Sequence, residues 1–256
     1  MNEDSLSKFA PEQLKAIRNE LFNLEKSLSS QERKLIDDLA GFSMLPPSRL
    51  LDAYRSAKQA AKRCPNAAIV EFGVYRGGAL AAMAYGASLD GCYSGKVIGF
   101  DTFEGHSVEP LQNEVDLYGK LQHPIFVEKQ SKAEAWAYCD LNTVLNNFEA
   151  ISAALQVVLP TPTLIKGDAC NTCLNLPSLC RDGISLLRLD MDWYEPTMTT
   201  LNAATPLLCE NAVIIADDYG HHSGVKESVD HWLDSLCRKY DYTMTDYSCI
   251  RITLLD

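Results

Sequence analysis

No stretch of the 256 residues reaches the roughly 18 to 20 apolar residues that a membrane-spanning helix requires. The first residues, MNEDSLSK, contain neither the basic nor the apolar region of a secretion signal. Positive charge is also scarce, since 23 Lys and Arg stand against 34 Asp and Glu and the net charge is −11. An acidic surface repels nucleic acids and anionic membranes. We therefore expect a cytoplasmic protein whose main partner is a small molecule.

The nine cysteines form neither a disulfide framework nor a complete zinc motif. Their number is odd, they are scattered along the chain, and no secretion signal precedes them, so reduced thiols are expected. Cys170 and Cys173 have the spacing of a zinc knuckle, but no second cysteine or histidine pair follows them. We interpret this pair as ordinary small residues of a loop or short helix.

Residues 1–45 differ from the rest of the chain and predict a helical extension. Between charged residues, apolar side chains recur at steps of three and four, namely Leu14, Ile17, Leu21, Leu24 and Leu28. Such a seam packs either on its own domain or against a second copy of the chain. We predict a lid or dimer contact over 1–45, a homodimer, and a catalytic domain over 46–256. Two further helices are expected, one capped by Ser29 or Ser30 and one over 46–65 between prolines.

From residue 67 onward, apolar runs alternate with helical stretches. The runs at 67–74, 96–101, 162–168, 184–190 and 211–218 predict strands, and residues 242–256 can form two closing strands. Strands that are apolar throughout and separated by helices are typical of a parallel sheet covered on both faces. The predicted fold class is therefore α/β, a doubly wound Rossmann-like sheet. The polar segment 105–138 does not fit the sheet and predicts a lid or binding loop.

The first predicted strand leads into a turn that is suited to a nucleoside cofactor. In doubly wound sheets the ligand lies beyond the carboxyl ends of the strands. Glu71 closes this strand and Gly73 opens the turn, but Tyr75 stands where a dinucleotide fingerprint needs its second glycine. A bulky side chain there disfavours a nicotinamide or flavin cofactor, because it hinders the approach of the pyrophosphate.

Residues after the next two strands favour S-adenosylmethionine. Asp101 can accept hydrogen bonds from both ribose hydroxyls, Phe103 can lie against an adenine, and Asp168 can accept from an exocyclic amine. Taken singly, each acid could equally be a solvated turn residue. In this order, behind the glycine turn, they predict a cofactor site. The complete set of predicted cofactor contacts is Glu71, Gly73, Tyr75, Gly77, Asp101, Thr102, Phe103, Asp168 and Ala169.

A second group of acids follows the fourth and fifth strands. Asp190 ends the fourth, and Asp217 and Asp218 end the fifth. If these strands are neighbours, about 4.8 Å apart, the carboxylates meet in a small space and raise one another's pKa. A hard divalent cation removes that repulsion, and oxygen-only ligands favour Mg²⁺. We predict a Mg²⁺ site, with capping and salt-bridge roles as the alternative; Asp192, outside the strand, is the weaker candidate ligand.

Several stretches of the chain resemble one family of enzymes. They are FSML, RLLDAY, VEFGVYRGGAL, VIGFDTFEG, LRLDMDWYEPTM, IIADDYG and GVKESVDHWL, in order over about residues 42–233. In these stretches the chain resembles the macrocin O-methyltransferase (TylF-like) family, class I methyltransferases that use Mg²⁺ and S-adenosylmethionine to methylate hydroxyls on sugars and aromatic rings. Met191 stands where this family usually has glycine.

The resemblance implies roles for particular residues. Those implied as cofactor contacts are Glu71, Gly73, Asp101 and Asp168, and those implied as metal ligands are Asp190, Asp217 and Asp218. It also implies Asp190 as the general base, while His221, or else His222, His106 or His123, could take the proton instead. The predicted function is methyl transfer from S-adenosylmethionine to a hydroxyl of a small natural product. A non-catalytic S-adenosylmethionine-binding regulator and a nucleotide-dependent oxidoreductase are the alternatives.

Overall fold

The computed structural model describes residues 27–131 and 137–255. The strands in these ranges are β1 Ala68–Phe72, β2 Val97–Asp101, β3 Thr163–Lys166, β4 Ile184–Leu189, β5 Leu208–Ala216, β6 Tyr240–Met244 and β7 Ile250–Leu254. The helices are α1 Ser30–Leu39, α2 Pro47–Arg63, α3 Gly78–Ser88, α4 Gln122–Ser131, α5 Leu141–Leu155, α6 Ala169–Thr172, α7 Leu176–Leu179, α8 Tyr194–Ala204 and α9 Ser223–Ser235. Short 3₁₀ turns lie at Cys173–Asn175 and Thr205–Leu207.

The strands form one seven-stranded sheet in the order β3-β2-β1-β4-β5-β7-β6. β1 to β5 are parallel, whereas β7 runs antiparallel to β5 and β6 runs antiparallel to β7. The chain builds outward from β1 to β3 and then returns to place β4 on the other side of β1. The order therefore reverses between β1 and β4, which is where ligands bind in sheets of this kind. The predicted doubly wound fold is confirmed.

Apolar side chains cover both faces of the sheet because successive strand residues point to opposite sides. On one face, Ile69 and Leu186 pack in a cluster with α1, α2, α3 and α5. On the other face, their neighbours Val70 and Leu187 pack with α8 and α9. All of these strand residues are fully buried. This double burial explains why the strands are apolar without alternation.

The N-terminal region is described only from residue 27 onward. The Ser29 side chain caps α1 and forms a capping box with Glu32, as the sequence predicts. Leu35 and Leu39 of α1 are fully buried in the core beneath α2 and α3. Most of the predicted apolar seam, Leu14 to Leu24, lies outside the described residues, so the extension, its boundary at residue 45 and the homodimer stay predictions.

Two helices lie where the sequence predicts none. α4 forms within the polar segment 105–138, and α5 follows it, capped by the Asp140 side chain, which accepts from Thr143 N. Val144, Phe148 and Ile151 of α5 are buried in the cluster that contains α1 and α3. Within the described ranges, no helix is long and apolar enough to cross a membrane. The nine cysteines all fall in these ranges, and all are free thiols.

A buried cation occupies the centre of the sheet. Arg188, in β4, is 1% exposed and lies directly beside Glu71 of β1. Its Nη1 donates to Glu71 Oε1 at 2.7 Å and to Asp190 Oδ2 at 3.1 Å, and its Nη2 donates to Asp217 Oδ1 at 2.5 Å. One guanidinium therefore joins carboxylates from the ends of β1, β4 and β5.

A second guanidinium extends this network to α2. Arg49 Nη1 donates to the other oxygen of Asp217 at 2.5 Å, and its Nε donates to Asp246 Oδ2 at 2.7 Å. All three of these side chains are less than 10% exposed. The start of α2 is thus tied to the end of β5 and to the loop between β6 and β7.

Replacing Arg188 by methionine should destabilise the protein strongly. The variant keeps an apolar stem but leaves buried carboxylates without their partner, a change that costs about 3–5 kcal/mol in other proteins. Urea unfolding of Arg188→Met and the wild type measures this cost. Lys226→Met is the matched control, because it breaks an exposed pair with Asp230 and should cost no more than about 1 kcal/mol. Equal losses in the two variants would show that the buried network does not support the fold.

Candidate active site

A cavity opens at the carboxyl ends of β1, β2, β4 and β5. It is lined by most of the residues that the sequence predicts for a site, namely Glu71, Gly73, Tyr75, Asp101, Thr102, Ala169, Asp190, Asp217 and Asp218. Residues 42–45 before α2, His106, Ser107 and Val108 of the polar segment, and Trp193 and Pro196 at the start of α8 complete its walls. The cavity therefore lies at the switch point of the sheet, between the predicted cofactor residues and the acid group.

The turn after β1 is shaped by a close contact with β4. Gly73 has φ of +87°, and a Cβ atom at this position would lie 1.9 Å from the backbone oxygen of Asp190. Only glycine permits this approach. Gly77 also has a positive φ, +89°, and begins α3. The two glycines thus let the turn fold back over the ends of the strands.

Asp101, at the end of β2, holds this turn in place. Its Oδ2 accepts from Val74 N at 2.7 Å and from Tyr75 N at 2.9 Å, and its Oδ1 accepts from Phe103 N at 2.7 Å. Hydrogen bonds to a carboxylate are stronger than those to a neutral acceptor. The sequence suggests a ribose contact for Asp101 but does not show that its carboxylate also organises two backbone turns.

Four predicted site residues do not line the cavity. Gly77 packs beneath α5, and Phe103 is 2% exposed within the core. Asp168 caps α6, where its Oδ1 accepts from Cys170 N at 2.7 Å and its Oδ2 accepts from Ser107 Oγ at 3.1 Å. His221 is half-buried against the ring of His222. Burial lowers the pKa of His221.

The acids after β4 and β5 come together as the sequence predicts. β5 ends at Ala216, and the chain then turns, so that Asp217 and Asp218 need not point to opposite faces as in a strand. Asp190, Asp217 and Asp218 each place a carboxylate oxygen within 4.8 Å of the other two. Burial and the neighbouring Asp217 raise the pKa of Asp190 to about 7. Burial and the Asp192 carboxylate raise the pKa of Asp218 well above its ordinary value.

Asp192 and His106 form a pair that the sequence does not reveal. His106 Nε2 lies 3.0 Å from Asp192 Oδ2, and both side chains are mostly buried at the cavity wall. Burial opposes the charged form of each, yet their contact outweighs it, raising the pKa of His106 and lowering that of Asp192. The two residues are far apart in sequence, and only the path of the polar segment joins them.

The acid group suits a divalent cation. Its donors are all carboxylate oxygens, the ligands that Mg²⁺ prefers. Although Arg49 and Arg188 each donate to Asp217, its two oxygens retain further lone pairs. Asp218 forms no ion pair with any described side chain, and burial and its acidic neighbours raise its pKa well above the ordinary value. A cation would relieve this repulsion, so the residues fit the predicted metal.

One carboxylate oxygen of the buried Glu71 can still accept a hydrogen bond. Burial raises its pKa to about 8, although Arg188 opposes this shift. Its Oε1 accepts from Arg188, while its Oε2 is buried and has no hydrogen-bond partner among the described residues. An unpartnered oxygen at the cavity wall is suited to a ligand that donates hydrogen bonds.

Comparison with known proteins identifies the family and the fold. The family model for macrocin-O-methyltransferase (TylF) matches residues 5–251. The solved structure of the O-methyltransferase NovP is similar with a TM-score of 0.68 and 19% identity, covering 84% of this chain and 83% of that chain. The calicheamicin methyltransferase CalS11 is similar with a TM-score of 0.59 and 17% identity, covering 99% and 96%.

A further solved structure contains the cofactor. The O-methyltransferase TomG from Streptomyces achromogenes, in complex with S-adenosylmethionine, has a TM-score of 0.52 and 14% identity, covering 96% of this chain and 99% of that chain. No curated protein sequence matches significantly. At these identities the solved structures establish the fold, and the family model, which spans nearly the whole chain, establishes the family. The chain belongs to the macrocin O-methyltransferase (TylF) family and is an S-adenosylmethionine-dependent O-methyltransferase.

Proposed function

We propose that the protein transfers the methyl group of S-adenosylmethionine to a hydroxyl of a small natural product, a sugar or a phenol, with Mg²⁺ bound by Asp190, Asp217 and Asp218. The observation that carries this proposal is the acid group at the ends of β4 and β5, which faces the same cavity as the Gly73 turn. A sugar acceptor is also suggested by the similar structure of CalS11, described as a TDP-rhamnose 3'-O-methyltransferase.

The cofactor would lie over the turn after β1. Its cationic sulfonium suits a cavity whose wall is rich in carboxylates, and the unpartnered Oε2 of Glu71 can accept from its ammonium group. Gly73 and Tyr75 provide the backbone surface of the turn, with Asp101 and Thr102 beside it. This arrangement places the cofactor next to Asp190, whose backbone contacts Gly73.

Asp190 is the proposed proton acceptor. Its pKa of about 7 makes it a better base at neutral pH than an ordinary carboxylate. A divalent cation held by the acid group would supply Lewis-acid polarisation of the acceptor oxygen. His221 is the alternative base, but it does not line the cavity and could act only through a bridging water. Fixing the hydroxyl in line with the sulfonium methyl would supply much of the acceleration.

The polar segment is proposed to close over the acceptor. His106, Ser107 and Val108 line the cavity, and Ser107 Oγ donates to Asp168 on the far side. The segment is also joined to the turn before α9 by the bridge between Asp116 and His222. These contacts give the segment fixed positions at the cavity mouth. The homodimer and the cytoplasmic location stay predictions.

Replacing Asp101 by alanine should weaken cofactor binding. The variant loses a possible ribose contact and also the bonds that hold the turn over which the cofactor lies, so affinity for S-adenosylhomocysteine should fall by at least ~1.5–3 kcal/mol. Titration calorimetry measures the change. Asp140→Ala is the control, because it removes a helix cap that does not line the cavity and should leave affinity unchanged. Unaltered binding in Asp101→Ala would rule out this placement of the cofactor.

Replacing Asp190 by asparagine tests the acid group. The variant preserves shape but removes a charge and the proposed proton acceptor, so methyl transfer should fall by about 10²–10⁴-fold, with little change in cofactor affinity. EDTA should reproduce the loss in the wild type, and Mg²⁺ should reverse it. The rates are measured with radiolabelled S-adenosylmethionine and a panel of hydroxylated natural products.

Asp241→Asn serves as the control for this experiment, since Asp241 is exposed in the edge strand β6. It should keep full activity. If Asp190→Asn is equally active, or if EDTA has no effect, the acids at the ends of β4 and β5 are structural and the metal-dependent mechanism is wrong.

A further inference from the structure

A second group of possible metal ligands adjoins the first and has a different composition. Asp192, Asp218 and His222 each place one ligand atom within 4.8 Å of the others. Only Asp218 is shared with the oxygen-only group of Asp190 and Asp217. The two groups therefore differ by an imidazole nitrogen, which changes the class of metal ion that they favour.

The buried imidazole of His222 has a ring nitrogen without a hydrogen-bond partner among the described residues. The residue is 6% exposed, and its Nδ1 is buried without a partner among the described residues. Burial of a polar atom without a partner is unfavourable, and such atoms in folded proteins are few. Its ring packs edge-on against Trp193 at 5.1 Å, and its backbone N–H donates to Asp218 O at 2.9 Å. The imidazole is thus packed in place, and its Nδ1 is available to a ligand.

The carboxylate of Asp192 is also held in place by a neighbouring side chain. His106 contacts its Oδ2 at 3.0 Å, as outer partners commonly do for carboxylates that bind metals. A carboxylate oxygen of Asp192 also lies within 4.8 Å of one of Asp218 and of a ring nitrogen of His222. Two carboxylates and an imidazole with an unpartnered Nδ1 thus lie together with lone pairs that a cation could accept.

We propose that Asp192, Asp218 and His222 form a mixed oxygen–nitrogen site for a divalent transition-metal ion such as Mn²⁺, Co²⁺ or Zn²⁺. Imidazole favours these ions over Mg²⁺, whereas the neighbouring oxygen-only group favours Mg²⁺. Three protein ligands leave a coordination position open toward the cavity, which Asp192 and Asp218 both line. The site is independent of the proposed role of Asp190, which is not among its ligands.

Pulsed electron paramagnetic resonance of bound Mn²⁺ tests this site, because coupling to a nitrogen nucleus identifies a directly bonded imidazole. The wild-type protein should show the coupling, and labelling its histidines with ¹⁵N should change the coupling to that of ¹⁵N. His222→Asn should abolish it, whereas His231→Asn, which alters a histidine bonded to Tyr194 outside the cavity, should retain it. Melting curves of both variants establish that they are folded.

Asp190→Asn separates this proposal from the proposed function. This variant should lose methyl transfer yet retain the nitrogen coupling, since Asp190 is not a ligand of the mixed site. If neither the wild type nor Asp190→Asn shows nitrogen coupling, or if His222→Asn retains it, the mixed site is wrong whatever the outcome of the activity assay. The labelled wild type gives the same test if His222→Asn fails to fold.

Discussion

The positions of Glu71, Asp190 and Asp217 at the cavity depend on the buried guanidinium of Arg188. The guanidinium contacts the carboxylates of these three residues, which lie in or directly after three adjacent strands. Without a central cation, these acids would repel one another in an environment of low polarity, and the ends of the strands would separate. A buried network of this kind contributes little net stability compared with apolar packing. The network instead fixes the positions of the acids, because a planar, multidentate donor orients several carboxylates at once.

The network also leaves an excess of negative charge on the side that faces the cavity. Two guanidiniums, of Arg49 and Arg188, are shared among carboxylates at the ends of three strands and in one loop. Asp218 lies beyond their reach, and Asp192 depends on His106. Burial and the neighbouring carboxylates together raise the pKa of Asp190 and that of Asp218. A site that binds a sulfonium and a divalent cation needs such an excess, whereas a site for a phosphorylated cofactor would need the opposite sign.

The sequence predicts the features that depend on strand order and not those that depend on long-range contacts. Uninterrupted apolar runs identify β1 to β5, and parallel pairing of β4 with β5 then brings Asp190 close to Asp217 and Asp218. Arg188 in the run ISLLRLD carries no signal of its own, because a strand pattern does not show which charged residue faces a partner. The His106 contact depends on the path of a long irregular segment, which no periodicity predicts. The sequence does not predict helix α5, because polar residues between its apolar positions obscure the periodic pattern.

The turn after β4 accommodates a methionine at a position where the family usually has glycine. Met191 stands where the family usually has glycine, and its side chain is buried in the cluster beneath α8 and α9. The strained position is instead the next residue, since Asp192 has φ of +66°. Aspartate tolerates this region better than most residues, and Trp193 N closes the turn on Met191 O at 2.8 Å. Met191 thus packs beneath the turn, and Asp192, in the left-handed conformation, directs its carboxylate toward His106.

Non-glycine residues in the left-handed conformation persist where the surrounding structure enforces them, which is common at functional sites. The local strain at Asp192 therefore supports a role for this acid in the site, although the strand pattern alone places it outside the metal-binding group.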